Sequence, residues 1–219
     1  MTLAFACILA GFASWTLAAE ILRPQGINFT TDAHSAASMY AHRDAAVRAA
    51  QFGLVRGDLW SEAAFAYGNL LLTQVRNPSR PEVTLVAQTR AVTELAITYA
   101  PHDSRLWLLL AANYFGFDWL NERAAASLRM SYYTGSNTLA VLPARLFLAT
   151  QSHALQDDDF QELVRHDIEI AVARKAQFSP AIVAAYNNAS SSGRRIFEKA
   201  LGALDPSMLE SIRSGTENR

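Results

Sequence analysis

Apolar and small side chains recur every three to four positions along most of the chain, which is the spacing of amphipathic α-helices. No stretch of apolar and polar residues reads as a strand, so the pattern predicts an all-α fold. Capping residues, glycines and prolines divide the pattern into successive helices. The predicted limits are Thr31 or Asp32 to Gly57, Asp58 to Asn77–Pro78, Pro81 to Ala100, Asp103 or Ser104 to Gly116, Asp118 or Asn121 to Gly135, Pro143 to Leu155, Asp157 to Ala176, a start at Ser179–Pro180, Gly193 to Gly202, and a start at Asp205–Pro206.

The first 22 residues differ from the rest because they are almost uniformly apolar, with Glu20 as their one charged side chain. About 20 apolar residues in a helix cross the roughly 30 Å hydrocarbon layer of a membrane. Residues 1–22 are therefore predicted to be a transmembrane anchor or signal-anchor. A cleaved signal peptide and a buried apolar helix are the alternatives. The missing basic segment and the large Leu17 before Ala18–Ala19 count against cleavage.

The remaining chain divides into a polar linker (23–31), a helical domain (32–213) and a tail (214–219) that is expected to fray. Nineteen basic and 20 acidic residues leave a net charge of -1, which argues against a nucleic-acid partner. One cysteine excludes a disulfide framework. The chain also contains 39 alanines, a content typical of closely packed helices.

A short motif repeats within the domain. Trp60-x3-Ala64-x2-Tyr67 recurs 47 residues later as Trp107-x3-Ala111-x2-Tyr114. In a helix these spacings place a large, a small and a large side chain on one face. The alanine allows a partner helix to approach closely, and the aromatic rings fill the space beside that contact. The motif therefore predicts two equivalent helix-packing sites.

The second copy of this motif resembles a tetratricopeptide repeat (TPR), a helix-turn-helix unit of about 34 residues. The resemblance rests on Ala96, Pro101, Trp107, Ala111 and Tyr114, with support from Trp60, Ala64, Tyr67 and the segment Ala200–Pro206. It departs from the family at Arg123, where an alanine is expected, and in the spacing of 47 residues. The resemblance implies antiparallel helix pairs stacked as a short solenoid, with a concave side that binds a peptide or helix.

Two segments, Trp107–Ala111 and Met130–Gly135, also resemble membrane-associated proteins of Gram-negative bacteria with no assigned activity. We therefore expect a single-pass protein of the bacterial inner membrane. The basic residues Arg23, Arg43 and Arg48 follow the apolar run, which by the positive-inside rule favours a cytoplasmic domain. A start codon placed too far downstream would hide basic residues that precede the run, and on that ground we favour the periplasmic side.

Two His-Asp pairs are the candidates for chemistry. His102–Asp103 and His166–Asp167 suggest an all-helical, metal-dependent HD-type phosphohydrolase, because imidazole and carboxylate groups bind divalent cations. Helix capping by Asp103 and ordinary helix positions for the second pair explain them more simply. The chain has no nucleophile elbow, phosphate loop or zincin motif. We therefore predict no catalytic residue, metal, cofactor or small-molecule substrate.

Aromatic and basic residues beside one turn suggest where another protein binds. This predicted partner-binding edge consists of Trp119, Arg123, Arg129, Tyr132 and Tyr133. The sequence as a whole predicts a non-catalytic, membrane-anchored, TPR-like scaffold for protein–protein interaction, in a bacterial envelope assembly. The alternatives are the phosphohydrolase and a structural protein that associates with itself.

Overall fold

The computed structural model describes residues 2–75, 82–116 and 121–217, and within these ranges the protein is all-helical, as predicted. The described part contains no strand, and its short 3₁₀ turn at His153–Gln156 lies between two of the helices. The helices are α1 (Thr2–Leu22), α2 (Ala33–Ala41), α3 (Arg43–Gly53), α4 (Gly57–Val75), α5 (Val83–Tyr99), α6 (Ser104–Phe115), α7 (Glu122–Thr134), α8 (Leu142–Ala149), α9 (Asp158–Ala173), α10 (Lys175–Asn188), α11 (Ser191–Leu204) and α12 (Pro206–Glu217).

Several helices begin at the capping residues that the sequence indicates. The side chains of Asp103, Asn121 and Asp157 accept hydrogen bonds from backbone N–H groups in the first turns of α6, α7 and α9. Such bonds satisfy donors that have no partner inside the helix. Helix α12 begins at Pro206 and extends past Arg213. The predicted limits at Asn77–Pro78, Pro81 and Asp118 lie outside the described residues.

The predicted helix from Asp32 to Gly57 is wrong, because the chain forms two helices there. Helix α2 ends at Ala41, and α3 ends at Gly53, followed by Leu54, whose φ of 51° is left-handed. Gly57 begins α4 instead of ending the previous helix. It lies against the end of α5, where an added Cβ would come within 2.6 Å of the carbonyl oxygen of Tyr99. The absence of a side chain at Gly57 thus allows the start of α4 to pack closely against the end of α5.

Two other predicted limits are also wrong. Helix α8 ends at Ala149, before Leu155, and Ser152 then caps the 3₁₀ turn. Pro180 lies inside α10 and does not begin it. The helix starts at Lys175, where the Arg174 carbonyl accepts from the next turn, and it places Phe178 in the core. Pro180 then lacks one internal hydrogen bond, which tertiary packing must offset.

Helices α4 and α6, which carry the repeated motif, form the centre of the first half of the domain. Helix α4 packs against α2, α3, α5 and α6, and α6 packs against α4, α5, α7 and α8. Both helices are buried on nearly all sides. In the second half, α10 packs against α8 and α9, while α11 packs against α9 and α12. One core connects the two halves.

The segment predicted as a linker lies along α4. The amide of Asn69 donates to the Asn28 carbonyl (2.8 Å) and accepts from the Thr30 N–H (3.2 Å). Arg23 pairs with Glu62 on the same helix, and Ile27 is buried. These contacts fix residues 23–30 against the domain.

Within the described residues, α1 alone is long and apolar enough to cross a membrane. Residues 2–14 are exposed along their whole length. Five residues later, Ala19 is buried against the domain.

Candidate interaction surface

The residues of the repeated motif lie mostly in the interior. Trp60, Ala64 and Tyr67 are buried in α4, and Ala111 and Tyr114 are buried in α6. Ala96 is buried at the end of α5, Trp107 is half-buried, and Pro101 is exposed in the turn before α6. These side chains hold helices together and do not form an accessible surface.

The predicted partner-binding edge is only partly accessible. Arg123 and Tyr133 are exposed on α7, but they lie ten residues apart, about 15 Å along the helix. Tyr132 is 2% exposed, so its predicted place on an exposed edge is wrong. Arg129 is half-buried and bonds Asp157 at 2.7 Å. Trp119 lies outside the described residues.

Tyr132 is buried because it packs against an internal ion pair. The guanidinium of Arg145 lies 4.2 Å from the centre of its ring, and Phe160 meets the ring edge-on at 5.5 Å. Burial and the neighbouring Asp167 carboxylate raise the pKa of Tyr132 well above its usual value. The sequence around Tyr132 does not indicate Arg145 as its partner, because Arg145 lies 13 residues further along the chain, on α8.

Arg145 and Asp167 form this ion pair, and both side chains are fully buried. Nε and Nη2 of Arg145 donate to the two carboxylate oxygens at 2.7 and 2.6 Å. The other N–H groups donate to the carbonyls of Gly135 (2.9 Å), Ser136 (2.8 Å) and Ser131 (3.4 Å). A guanidinium has five N–H groups, and all five have acceptors here. Burial raises the pKa of Asp167, although the bonds from Arg145 oppose that shift.

The aspartates of the two His-Asp pairs have structural roles in this arrangement. Asp103 caps α6 and pairs with Arg105 at 2.8 Å. Both carboxylate oxygens of Asp167 accept hydrogen bonds from Arg145. The neighbouring His166 is exposed, and its Nε2 lies 3.4 Å from the side-chain oxygen of Asn137. In the described ranges, no three metal-ligating side chains of His, Cys, Asp or Glu come together. The geometry therefore offers no metal centre from these pairs.

A concave surface runs from α7, past the 3₁₀ turn, to α9 and α11, and we call it the lateral groove. It consists of three adjoining hollows of about 600, 440 and 400 Å³. Gln156 lines the first and second hollows, whereas Gln161, Ile196 and Lys199 line the second and third. Besides these four, the lining includes Glu122, Arg123, Arg129, His153, Asp157, Leu155, Ser192, Arg195, Asp158, Glu162, Arg165, Glu169, Ala200, Ala203 and Leu204.

Charges of both signs face this groove. On α9, Arg165 bonds Glu162 and Glu169 on one exposed helix face. On α11, Lys199 is exposed and has no ion-pair partner among the described residues. Leu204, 45% exposed, adds apolar surface at one end. Sequence reasoning identified Arg123 and Arg129 in this region but missed α11, because its contact with α9 is a tertiary one.

The comparisons with known proteins do not assign a function to this surface. The chain matches no protein-family model, and no curated protein or solved structure is significantly similar to it.

Proposed function

We propose that this chain is a non-catalytic, membrane-anchored helical scaffold that binds another protein through the lateral groove. Its place is a bacterial envelope assembly, with α1 in the inner membrane and the domain on the periplasmic side. The observation that carries the proposal is the groove itself, where charges of both signs adjoin exposed apolar surface. Polypeptide partners match such a mixture, whereas nucleic acids require a predominantly basic face.

The arrangement of helices α4 to α7 supports a TPR-like architecture for the scaffold. Helix α4 packs against α5 and α6 packs against α7, and the two pairs meet through contacts of α6 with α4 and α5. Gly68 on α4 allows the close approach of Leu109 on α6, since an added Cβ would lie 2.5 Å from it. Stacked helix pairs of this kind build solenoids.

The same helices argue against a partner on their inner face. Helices α2 and α3 cover α4, and α8 lies against α6. Asn69, which points from α4 toward the preceding segment, already binds the chain's own residues Asn28 and Thr30. We therefore place the partner in the lateral groove and not on a concave side formed by α4 and α6.

Site-specific crosslinking tests the proposal. A photoreactive amino acid replaces Arg123 in the full chain, and crosslinks are formed in membranes of the native host. We expect one specific protein partner, identified by mass spectrometry. A second substitution, Lys199→Glu, should reduce that crosslink at least several-fold, because it reverses a charge elsewhere in the groove without touching the crosslinking residue.

Arg174→Glu is the matched control. Arg174 is exposed and lies outside the groove lining, so the same change of charge should leave the crosslink unchanged. A crosslink to a second copy of this chain would favour the self-associating structural protein instead. A partner that crosslinks at Arg123 with equal yield in both charge variants does not contact the part of the groove around Lys199, which would contradict binding along the lateral groove.

A further inference from the structure

The end of α1 is attached to the domain and does not lead into a free tether. The indole N–H of Trp15 donates to the Phe52 carbonyl at 2.7 Å, and Ala19 is 1% exposed against α3. Trp15 and Thr16 are half-buried, whereas every residue from Thr2 to Ser14 is exposed. The last two turns of α1 therefore have a fixed position on the domain.

This attachment limits how much of α1 can lie apart from the domain in a membrane. The 21 residues of α1 span about 31 Å, which matches the roughly 30 Å hydrocarbon layer. The unattached part, Thr2–Ser14, has 13 residues and spans only about 20 Å. If α1 crosses the membrane, the part of the domain that contacts Trp15 must enter the outermost 10 Å or so of the bilayer.

The part of the domain at this position is apolar. We call residues 52–55, which run from the end of α3 into its connection to α4, the apolar turn. Its side chains Phe52, Leu54 and Val55 are 48, 55 and 72% exposed. Leu54 adopts a φ of 51°, a backbone conformation that residues with side chains rarely adopt. Trp60 holds that conformation through a 2.7 Å hydrogen bond to the Leu54 carbonyl. Three large apolar side chains are thus presented outward beside α1.

Paired charges lie directly behind the apolar turn. Arg56 bonds Glu20 and Asp58, each at 2.6 Å, while Arg23 bonds Glu20 and Glu62. Glu20 is five residues beyond Trp15, about 7.5 Å along α1. Charged groups at this depth belong in the headgroup region, and mutual pairing lowers the cost of holding them there. The change from apolar to charged surface therefore occurs at one level on both α1 and the domain.

We propose that the apolar turn inserts into the lipid bilayer beside α1, so that Phe52, Leu54 and Val55 are buried among acyl chains. The inference rests on the proposed anchoring role of α1. Its consequence is that the domain sits against the membrane in one orientation, with the apolar turn at the surface.

Depth measurements with nitroxide labels test this proposal. The full chain with Cys7→Ala receives one cysteine at Val55, Leu9 or Val83 and is reconstituted into vesicles of phosphatidylethanolamine and phosphatidylglycerol. Leu9 lies in the exposed part of α1 and reports anchoring. Val83 is the matched control, because it is 69% exposed at the far end of α5. Val83 lies about 24 Å along α5 from Tyr99, whose carbonyl packs against Gly57 just beyond the apolar turn.

We expect the labels at Val55 and Leu9 to be accessible to oxygen and shielded from a water-soluble nickel chelate, with the opposite result at Val83. A Val55 label that behaves like Val83, while Leu9 remains in lipid, would overturn the insertion and leave the anchor intact. A Val55 label inaccessible to both reagents would mean that protein covers the turn, which also overturns it. A Leu9 label exposed to water would refute the anchor itself.

Discussion

Trp60 and Trp107, 47 residues apart, make the same hydrogen bond. The indole N–H of Trp60 donates to the carbonyl of Leu54 at 2.7 Å, and that of Trp107 donates to the carbonyl of Pro101 at 2.8 Å. Each acceptor lies six residues before its tryptophan, in the turn that precedes the helix. The repeated tryptophan therefore fixes the entry into a helix in addition to filling space.

The two bonds should differ in their contribution to stability. Trp60 is buried and stacks on Tyr99, with ring centres 5.8 Å apart, whereas the bond of Trp107 is exposed. Trp60→Phe removes a partly buried hydrogen bond worth about 1 kcal/mol and some packing. Trp107→Phe should cost less, about 0.5 kcal/mol. Chemical unfolding in detergent, followed by circular dichroism, measures both, and equal costs would contradict the difference in burial.

Helix limits could be predicted where a capping side chain and a turn residue coincide. Helix α7, between Asn121 and Gly135, is an example, because both of its ends are determined by local backbone bonding. The end of α3 could not be predicted in this way. There the chain turns at Leu54, and the bond that holds the turn comes from Trp60 on the next helix. A tertiary contact decides that limit.

The burial of Tyr132 also depends on a tertiary contact, although the sequence contains a signal of a buried charge nearby. Arg145 lies in the otherwise apolar helix Leu142–Ala149, and a charge in such a segment requires a partner. The partner, Asp167, is 22 residues further along the chain. The sequence indicates that an ion pair is needed here, and only the fold shows that Tyr132 lies beside it.

Because Arg145 and Asp167 form a buried ion pair, substitutions of the two residues should have non-additive effects on the free energy of unfolding. Arg145→Met leaves a buried carboxylate without its counter-charge, and Asp167→Leu leaves a buried guanidinium, so each should cost about 3–5 kcal/mol. The double variant should cost clearly less than the sum, because no unpaired charge remains. It should not restore full stability, since the carbonyls of Gly135 and Ser136 lose their donors.

Unfolding free energies of the two single variants and the double variant measure this coupling. Additive costs would show that the two groups do not interact as an ion pair.

The metal content of the purified protein tests the phosphohydrolase alternative. We expect Asp167→Leu to leave the metal content of the purified protein unchanged, and stoichiometric metal lost from this variant would favour that enzyme.

Substitution by alanine should change the stability of the protein in opposite directions at two glycines of α11. Gly193 packs on the backbone of Thr150, where an added Cβ would lie 2.9 Å from the carbonyl carbon. The same carbonyl accepts from the N–H and hydroxyl of Ser190, so the helix cannot easily move away. Gly193→Ala should therefore cost about 1–3 kcal/mol through overpacking.

Gly202→Ala in the same helix is the matched control. An added Cβ there meets its nearest atom at 3.8 Å, on Leu209. Alanine should then stabilise the helix by about 0.5–1 kcal/mol, because it has the higher helix propensity. Thermal unfolding of the two variants gives the sign of each effect. A loss of stability in both would indicate that backbone freedom, and not close packing, requires glycine at position 193.

Asp205, which caps α12, should make stability depend on pH in the acid range. The bond from Lys175 at 2.8 Å is the main cause that lowers the pKa of Asp205 from 3.8 to about 2, with further bonds from Ser207 and the Met208 N–H. Between these two pH values the unfolded chain binds a proton that the folded chain does not, so stability falls as the pH falls through this window. Above about pH 5 the contribution is fully present.

The difference in unfolding free energy between the native chain and Asp205→Asn isolates this effect from the other carboxylates. We expect the difference to be constant from pH 7 to about pH 5 and to shrink between about pH 4 and pH 2, where the carboxylate that the variant lacks becomes protonated in the native chain. Lys175→Met should remove part of the same pH dependence, because the Lys175 bond is its largest cause. A difference that stays constant down to pH 2 would show that α12 is capped without the charge of Asp205.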